Sequence, residues 1–277
     1  MVALCALLLA QQGGPWNNDL KMRISDGGKP FGEETTFVRA AGVPSLTRDR
    51  KGRLIAAFQW FPQDRQEAWD RVATSISEDN GKTWSAPKPI VVDGLPNGYQ
   101  RPFDPTLVVT GTGNIRIYFT SSKPGQMGPN GVTGIYSAIS SDGVNFKFEP
   151  GARLAVMDRR VIDCAVHKLG DTWHMIAPIG RPEDGAYHAT SKDGLEFTRT
   201  ENIKSEDGAN WTGNLVAASP GMCFYGSSNR GLWWSYSAEG KSWTRPTFLN
   251  VMGGDPAVVN GADGRVIIIY VGPREPK

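Results

Sequence analysis
Apolar and polar positions alternate along the chain in short bursts. Arg71-Val72-Ala73-Thr74-Ser75-Ile76, Gly134-Ile135-Tyr136-Ser137-Ala138-Ile139 and Leu232-Trp233-Trp234-Ser235-Tyr236 are runs rich in β-branched and aromatic residues. Such content and alternation predict strands. A second pattern pairs two apolar runs across a Gly or Asp turn. Pro105-Thr106-Leu107-Val108-Val109 precedes Ile115-Arg116-Ile117-Tyr118-Phe119, and Pro256-Ala257-Val258-Val259 precedes Val266-Ile267-Ile268-Ile269-Tyr270. Further first strands start near Pro44, Cys164 and Gly213. The patterns interleave with a period of roughly 45–60 residues, four strands per unit, which is the size of a propeller blade.

An acidic turn recurs between these strands. Ser77-Glu78-Asp79-Asn80-Gly81-Lys82-Thr83-Trp84 is the fullest copy. Looser copies centre on Asp142 (Ser141 to Phe146), Asp193 (Ser191 to Phe197), Glu239 (Ser237 to Trp243) and Asp26 (Asp26 to Phe31). The chemistry suits a hairpin: the acid accepts backbone N–H groups, the glycine supplies a positive φ, and the aromatic packs between sheets. The stretch 77–84 resembles the Asp-box of the sialidase-like β-propellers, Ser-x-Asp-x-Gly-x-Thr-Trp. That resemblance implies an all-β propeller in which Asp26, Asp79, Asp142, Asp193 and Glu239 are structural.

First strands near 43, 104, 163, 212 and 255 count five blades. The last unit has only two strands, and the turn at 26–31 has no inner strands before it. We therefore expect one domain over 17–277, a five-bladed propeller of four-stranded blades. Leu20 to Ser25 and Glu34 to Arg39 would supply the outer strands of the last blade, leaving no unpaired edge at the seam.

Strand alternation fixes the faces. The acidic turns share a face with the turn between the first two strands of each blade. The starts of the inner strands, and the channel mouth, lie on the opposite face. Three inner strands start alike: Phe103-Asp104-Pro105, Ile162-Asp163-Cys164 and Gly254-Asp255-Pro256, against Val43-Pro44 and Thr212-Gly213 in the other two blades. Carboxylates gathered beside an axis raise at least one pKa, as acid/base work at a glycosidic bond requires. A bound cation would relieve the same repulsion, and Asp-Pro also shapes a strand start.

The ring resembles the five-bladed glycoside hydrolases, such as arabinanases, xylosidases and fructosidases. The resemblance implies general base or nucleophile, and orienting carboxylate, among Asp104, Asp163 and Asp255. Those families add a glutamate acid on another blade. Here Asn210-Trp211-Thr212-Gly213-Asn214 holds no carboxylate; Glu183 or Asp184, in the loop between the second and third strands of blade three, could reach in instead. Arg101, Arg160, Trp60, Trp69, Arg181, Arg230 and His167 fall on mouth-side loops or the inner strand and are candidate substrate contacts. A sialidase-like arginine is missing at Gly42-Val43-Pro44, and Tyr270 stands where a nucleophilic tyrosine would be sought.

Composition narrows the classes. Of 277 residues, 33 are Gly, 19 Pro and 9 Trp, which suits short strands and tight turns. A net charge of +2 offers no basic excess for nucleic acid. No apolar run reaches the roughly 20 residues of a membrane span. Residues 1–12 read as a signal peptide with Ala10 near the cleavage site, placing the protein in a secreted or periplasmic setting. Cys5, Cys164 and Cys223 form no spaced pattern. The expected activity is glycoside hydrolysis of a glycan or glycoside without a cofactor. A non-catalytic glycan- or protein-binding propeller and an exo-sialidase are the alternatives.

Overall fold
A computed structural model describes residues 14–26, 29–128, 131–261 and 263–274. The signal reading over 1–12 and the glycines of the first acidic turn lie outside them. Blade one holds β3 (Ala41–Arg48), β4 (Leu54–Trp60), β5 (Arg71–Ser77) and β6 (Lys88–Pro89). Blade two holds β8 (Phe103–Val109), β9 (Ile115–Ser121), β10 (Gly134–Ser140) and β11 (Asn145–Leu154). Blade three holds β12 (Ala165–Leu169), β13 (Thr172–Pro178), β14 (Ala186–Ser191) and β15 (Thr198–Arg199). Blade four holds β16 (Asn210–Ala218), β17 (Gly221–Ser228), β18 (Gly231–Ser237) and β19 (Thr247–Phe248). Blade five takes β20 (Gly254–Asn260) and β21 (Arg265–Pro273) from the C-terminus and β1 (Asn18–Asp26) and β2 (Thr35–Val38) from the N-terminus. The inner strands β3, β8, β12, β16 and β20 contact one another in that order and back to β3.

The expected five-bladed ring, and its closure by N-terminal strands, are both present. β1 is zipped to β21 along its whole length, from Asn18↔Pro273 to Asp26↔Arg265. One blade departs from four strands. In blade two, β7 (Val91–Asp93) adds a fifth, parallel to β11. β11 runs for ten residues, so it offers an outer edge that the connection from blade one can occupy.

Each middle strand is buried on both faces, which explains its unbroken apolar reading. Along β4, Leu54, Ala56, Phe58 and Trp60 pack with Leu20, Ile267 and Ile269 of blade five, while Ile55 and Ala57 pack with Leu107, Ile117 and Phe119 of blade two. The two-residue period of the strand sends alternate side chains to opposite neighbours. Among the described residues the apolar core divides into clusters that each sit between two consecutive blades.

The acidic turns lock these interfaces. Asp79 accepts from Ser77 Oγ at 2.8 Å, Thr83 N–H at 2.9 Å and Thr83 Oγ1 at 2.6 Å. Asp142 and Asp193 accept equivalent bonds from Ser140, Val144 and Asn145, and from Ser191, Leu195 and Glu196. In blade four Ser237 Oγ caps Gly240 N–H at 2.8 Å. The turn of blade three docks on blade two, where Tyr118 Oη and Arg116 donate to the Gly194 carbonyl at 2.7 and 3.4 Å. Arg116, buried, also forms a two-pronged ion pair with Glu149, both contacts at 2.8 Å.

Gly240 has φ +80°, and a Cβ there would lie 2.4 Å from the His174 ring of blade three. Strain and collision add, so Gly240→Ala is expected to lose more than about 1 kcal/mol in denaturant unfolding. Deleting residues 15–40 should abolish cooperative melting. A calorimetric transition of normal sharpness in that deletion would refute closure by β1 and β2.

Candidate active site at the channel mouth
Four inner strands start with the same backbone device. Val43, Asp104, Asp163 and Asp255 have φ of 48°, 50°, 50° and 45°. In blades one, two and five a bulge in the pairing with the second strand follows, between Gly42 and Ser45, Phe103 and Thr106, and Gly254 and Ala257. A bulge of this kind bends the strand and re-aims the residue that precedes it. Two residues further on, side chains stitch neighbouring blades together. Leu107 N–H donates to Ser45 Oγ at 2.8 Å, Thr106 Oγ1 donates to the Cys164 carbonyl, and Val258 N–H donates to Asn214 Oδ1 at 2.8 Å. Counting back from Asn214 puts the buried Thr212 at the equivalent place in blade four.

Asp tolerates the left-handed conformation better than most residues. The backbone does not demand a carboxylate, because Val43 adopts the same conformation without one. Three carboxylates around one axis therefore have a cost that the turn alone does not explain. Burial is the leading cause of a raised pKa at all three: Asp104 is pushed up to about 7, Asp255 to about 6 and Asp163 well above the usual carboxylate range. They keep partial contact with solvent at the mouth. Asp104 and Asp163, on adjacent blades, lie close enough to influence each other, and the charge of Asp104 pushes Asp163 up. The charge of Asp255 raises both, and Arg160 lowers both. Thr120 Oγ1 donates to Asp104 Oδ2 at 3.2 Å. The result is an adjacent pair of raised carboxyls and a third set apart from it by an intervening blade on either side.

Arg101 stands at the mouth, where its Nη2 bonds Asp70 Oδ2 at 2.5 Å. Asp70 Oδ1 accepts from Gln59 Nε2 at 2.5 Å, and Gln59 Oε1 accepts Asp104 N–H at 3.4 Å. A cavity of about 270 Å³ opens beside this chain, walled by Trp16, Trp69 and Phe61 and reaching Asp104 and Val43. Residues 160 and 161, which lead to Asp163, are held to Thr133 at the end of the long blade-two loop.

Other candidates fall elsewhere. Trp60 is 8% exposed and belongs to the core between blades five and one; strand alternation turns it inward, so it offers no face to a ligand. Arg230 lies 3.8 Å over the ring of Phe248 on the outer strand β19, away from the axis. Glu183 is exposed (67%) and pairs with Arg181 at 3.7 Å, itself exposed (82%). His167 sits on β12 opposite His174, and burial pushes its pKa down to about 4. Tyr270 is fully buried and bonds Glu34 and Arg23 of the outer strands. No group of three or more His, Cys, Asp or Glu among the described residues is arranged to hold a metal ion. Among the same residues no helix is long and apolar enough to cross a membrane.

Gln59 and Asp70 belong to the blade-one stretch that the sequence places on the mouth side; Trp16 and Thr120 were not singled out. Trp16 lies in a short 3-10 turn ahead of β1, where no periodicity marks it. Gln59 is the polar exception in an otherwise apolar strand.

No protein-family model matches the chain, and no curated protein matches it. Solved structures do. The family-32 β-fructofuranosidase of Bombyx mori is 14% identical over 99% of this chain and 62% of its own, with a TM-score of 0.60. The family-117 glycoside hydrolase of Zobellia galactanivorans is 12% identical over 94% and 91%, TM-score 0.57. An N-acetylgalactosamine deacetylase from F. plautii, solved with blood group B trisaccharide, is 12% identical over 92% and 94%, TM-score 0.58. Family-43 hydrolases, galactanases and a sialidase are further neighbours. The chain has the fold of the five-bladed glycoside hydrolases. Identity this low shows the fold and not the reaction.

The raised carboxylates have a stability consequence. Between the unfolded value near 3.8 and the folded value near 6, Asp255 binds more protons folded than unfolded. Stability through this group therefore falls as pH rises across that window. His167 and His188, both lowered to about 4 by burial, act oppositely: stability through them is lost as pH falls from 6.5 towards 4. Comparing variant with wild type cancels the histidines. Asp255→Asn should melt above wild type at pH 8, and the gap should close towards pH 4.

Proposed function
We propose that the protein is a secreted carbohydrate-active enzyme that hydrolyses a glycosidic bond at the channel mouth. The observation that carries this reading is that three blades start their inner strands with an aspartate in the same left-handed conformation, two of them on adjacent blades, and that burial raises all three carboxyls. Two carboxyl functions with opposite tasks are what glycoside hydrolysis needs. Neighbouring buried carboxyls keep an acid available near neutral pH. Asp163, held well above the usual carboxylate range, gives its proton to the departing glycosidic oxygen. Asp255, ionised above about pH 6, serves as base towards the attacking water or as nucleophile at the anomeric carbon. Asp104 orients the pair through Thr120 and Gln59. This arrangement replaces the glutamate that the resemblance would place on a further blade. Fold neighbours that are mostly glycoside hydrolases support it.

The exposure of Glu183 favours a second reading, a propeller that binds glycan without cleaving it. The exo-sialidase alternative has less support. Arg101 is engaged by Asp70, and Tyr270 is buried in blade five.

Turnover on a panel of glycans and aryl glycosides separates these readings. Folded Asp104→Asn, Asp163→Asn and Asp255→Asn variants should each lose about 100-fold or more of the wild-type rate. The pH profile should rise through about 6 as Asp255 ionises and fall at higher pH as Asp163, held well above the usual carboxylate range, gives up its proton. Wild-type rates in all three variants would refute the assignment, and binding without product after long incubation would establish the second reading.

A further inference from the structure
The cavity beside the aspartates sits over blade one, the blade whose inner strand starts with Val43 instead of an aspartate. Blade one lies between blade five, which carries Asp255, and blade two, which carries Asp104. A ligand seated over Val43 thus meets Asp104 in the cavity wall and lies on the blade next to the one that carries Asp255. Its walls have two chemistries. Trp16, Phe61 and Trp69 form an aromatic corner with ring centroids 5.5–6.3 Å apart. Facing it is the chain Arg101–Asp70–Gln59, whose last link holds the Asp104 backbone. Asp70 has φ 56°, a strained conformation kept in place by its two partners. At about 270 Å³ the space falls just short of the roughly 300–1,000 Å³ of drug-sized ligand pockets, which suits one sugar ring.

We infer that this cavity is a subsite for an uncharged pyranose ring, stacked on the aromatic corner with its hydroxyls bonded by Arg101, Asp70 and Gln59. The inference rests on the glycan-directed reading above and adds the class of sugar. The charge balance decides it. Arg101 is neutralised by Asp70 at 2.5 Å, so no guanidinium is left over for a sugar carboxylate. A uronic or sialic acid would bring its negative charge against Asp70 and the aspartates, and like charges in apposition cost affinity. A neutral ring meets donors and acceptors that match its hydroxyls and an apolar wall that matches its C–H face.

The test titrates wild-type protein with the methyl glycosides of glucose, galactose and mannose, with methyl glucuronide and methyl galacturonide, and with N-acetylneuraminic acid. Tryptophan fluorescence and saturation-transfer NMR read the binding. At least one neutral glycoside should bind, with its uronide counterpart about tenfold weaker or more. Trp16→Ala, at a residue 44% exposed, should keep the wild-type melting temperature and weaken the neutral glycoside about tenfold. Asp70→Asn keeps a residue that accepts the left-handed backbone and frees Arg101, so it should narrow or reverse the preference against the uronides. Asp255→Asn should lose turnover and retain binding. The inference is overturned if no neutral glycoside binds, if uronides bind wild type equally well, or if Trp16→Ala leaves affinity unchanged. Full turnover in Asp255→Asn would instead sink the catalytic assignment and leave the subsite standing.

Discussion
The pairing of β1 with β21 is the constraint on which the rest depends. Five wedge-shaped sheets share one axis only if the last meets the first, and a ring with an open seam would expose strand edges on both sides. The nine-residue β1 closes that seam against the C-terminal strand. It also completes the apolar cluster that joins blades five and one, through Leu20 and Val38. The same segment places Pro15 and Trp16 at the mouth, over Val43. Ring closure and the wall of the candidate subsite are therefore one event: the N-terminal strand cannot dock without delivering the tryptophan.

Two sets of carboxylates divide structure from chemistry. At the rim, the Thr83 hydroxyl and backbone N–H hold the Asp79 carboxyl well below its ordinary range, and the backbone N–H groups of Glu196 and Leu195 hold Asp193 at about 2. Those groups are ionised at any physiological pH and hold their turns. At the axis the leading influence is burial, and the direction is opposite. A carboxyl that is costly to ionise destabilises the folded chain at neutral pH, and functional sites are where such costs are tolerated. The contrast arises from the same residue type in two settings, the turns after the third strands and the starts of the inner strands.

Much of the architecture was legible because it repeats. The turns around Asp79, Asp142, Asp193 and Glu239 mark the blades even where their sequences drift, and the fragment at each end of the chain fits the gap left by the other. The positions of Asp104, Asp163 and Asp255 followed from strand direction alone. Side-chain neighbours did not. Trp60 reads as a loop aromatic in FQWFP, yet it is the last inward residue of β4. Arg230 reads as a mouth-side loop residue but lies over Phe248, because its hairpin folds back on the outer strand. Gln59, Asp70 and Arg101 come from two blades and form a chain only once those blades pack. Period and alternation give direction along a strand; they carry no information about which blade stands opposite.

The unequal starts of the inner strands carry the functional argument furthest. With five equivalent aspartates, repulsion around the axis would be symmetric and no carboxylate would have a distinct role. Val43 and Thr212 break the ring into an adjacent pair and a single group. Adjacency puts the charge of Asp104 against Asp163 and raises it further. Asp255, a blade away on either side, is raised by burial to about 6. The gap at Val43 is also where the aromatic corner stands. The same asymmetry that leaves blade one without a carboxylate makes room for a cavity bordered by Asp104.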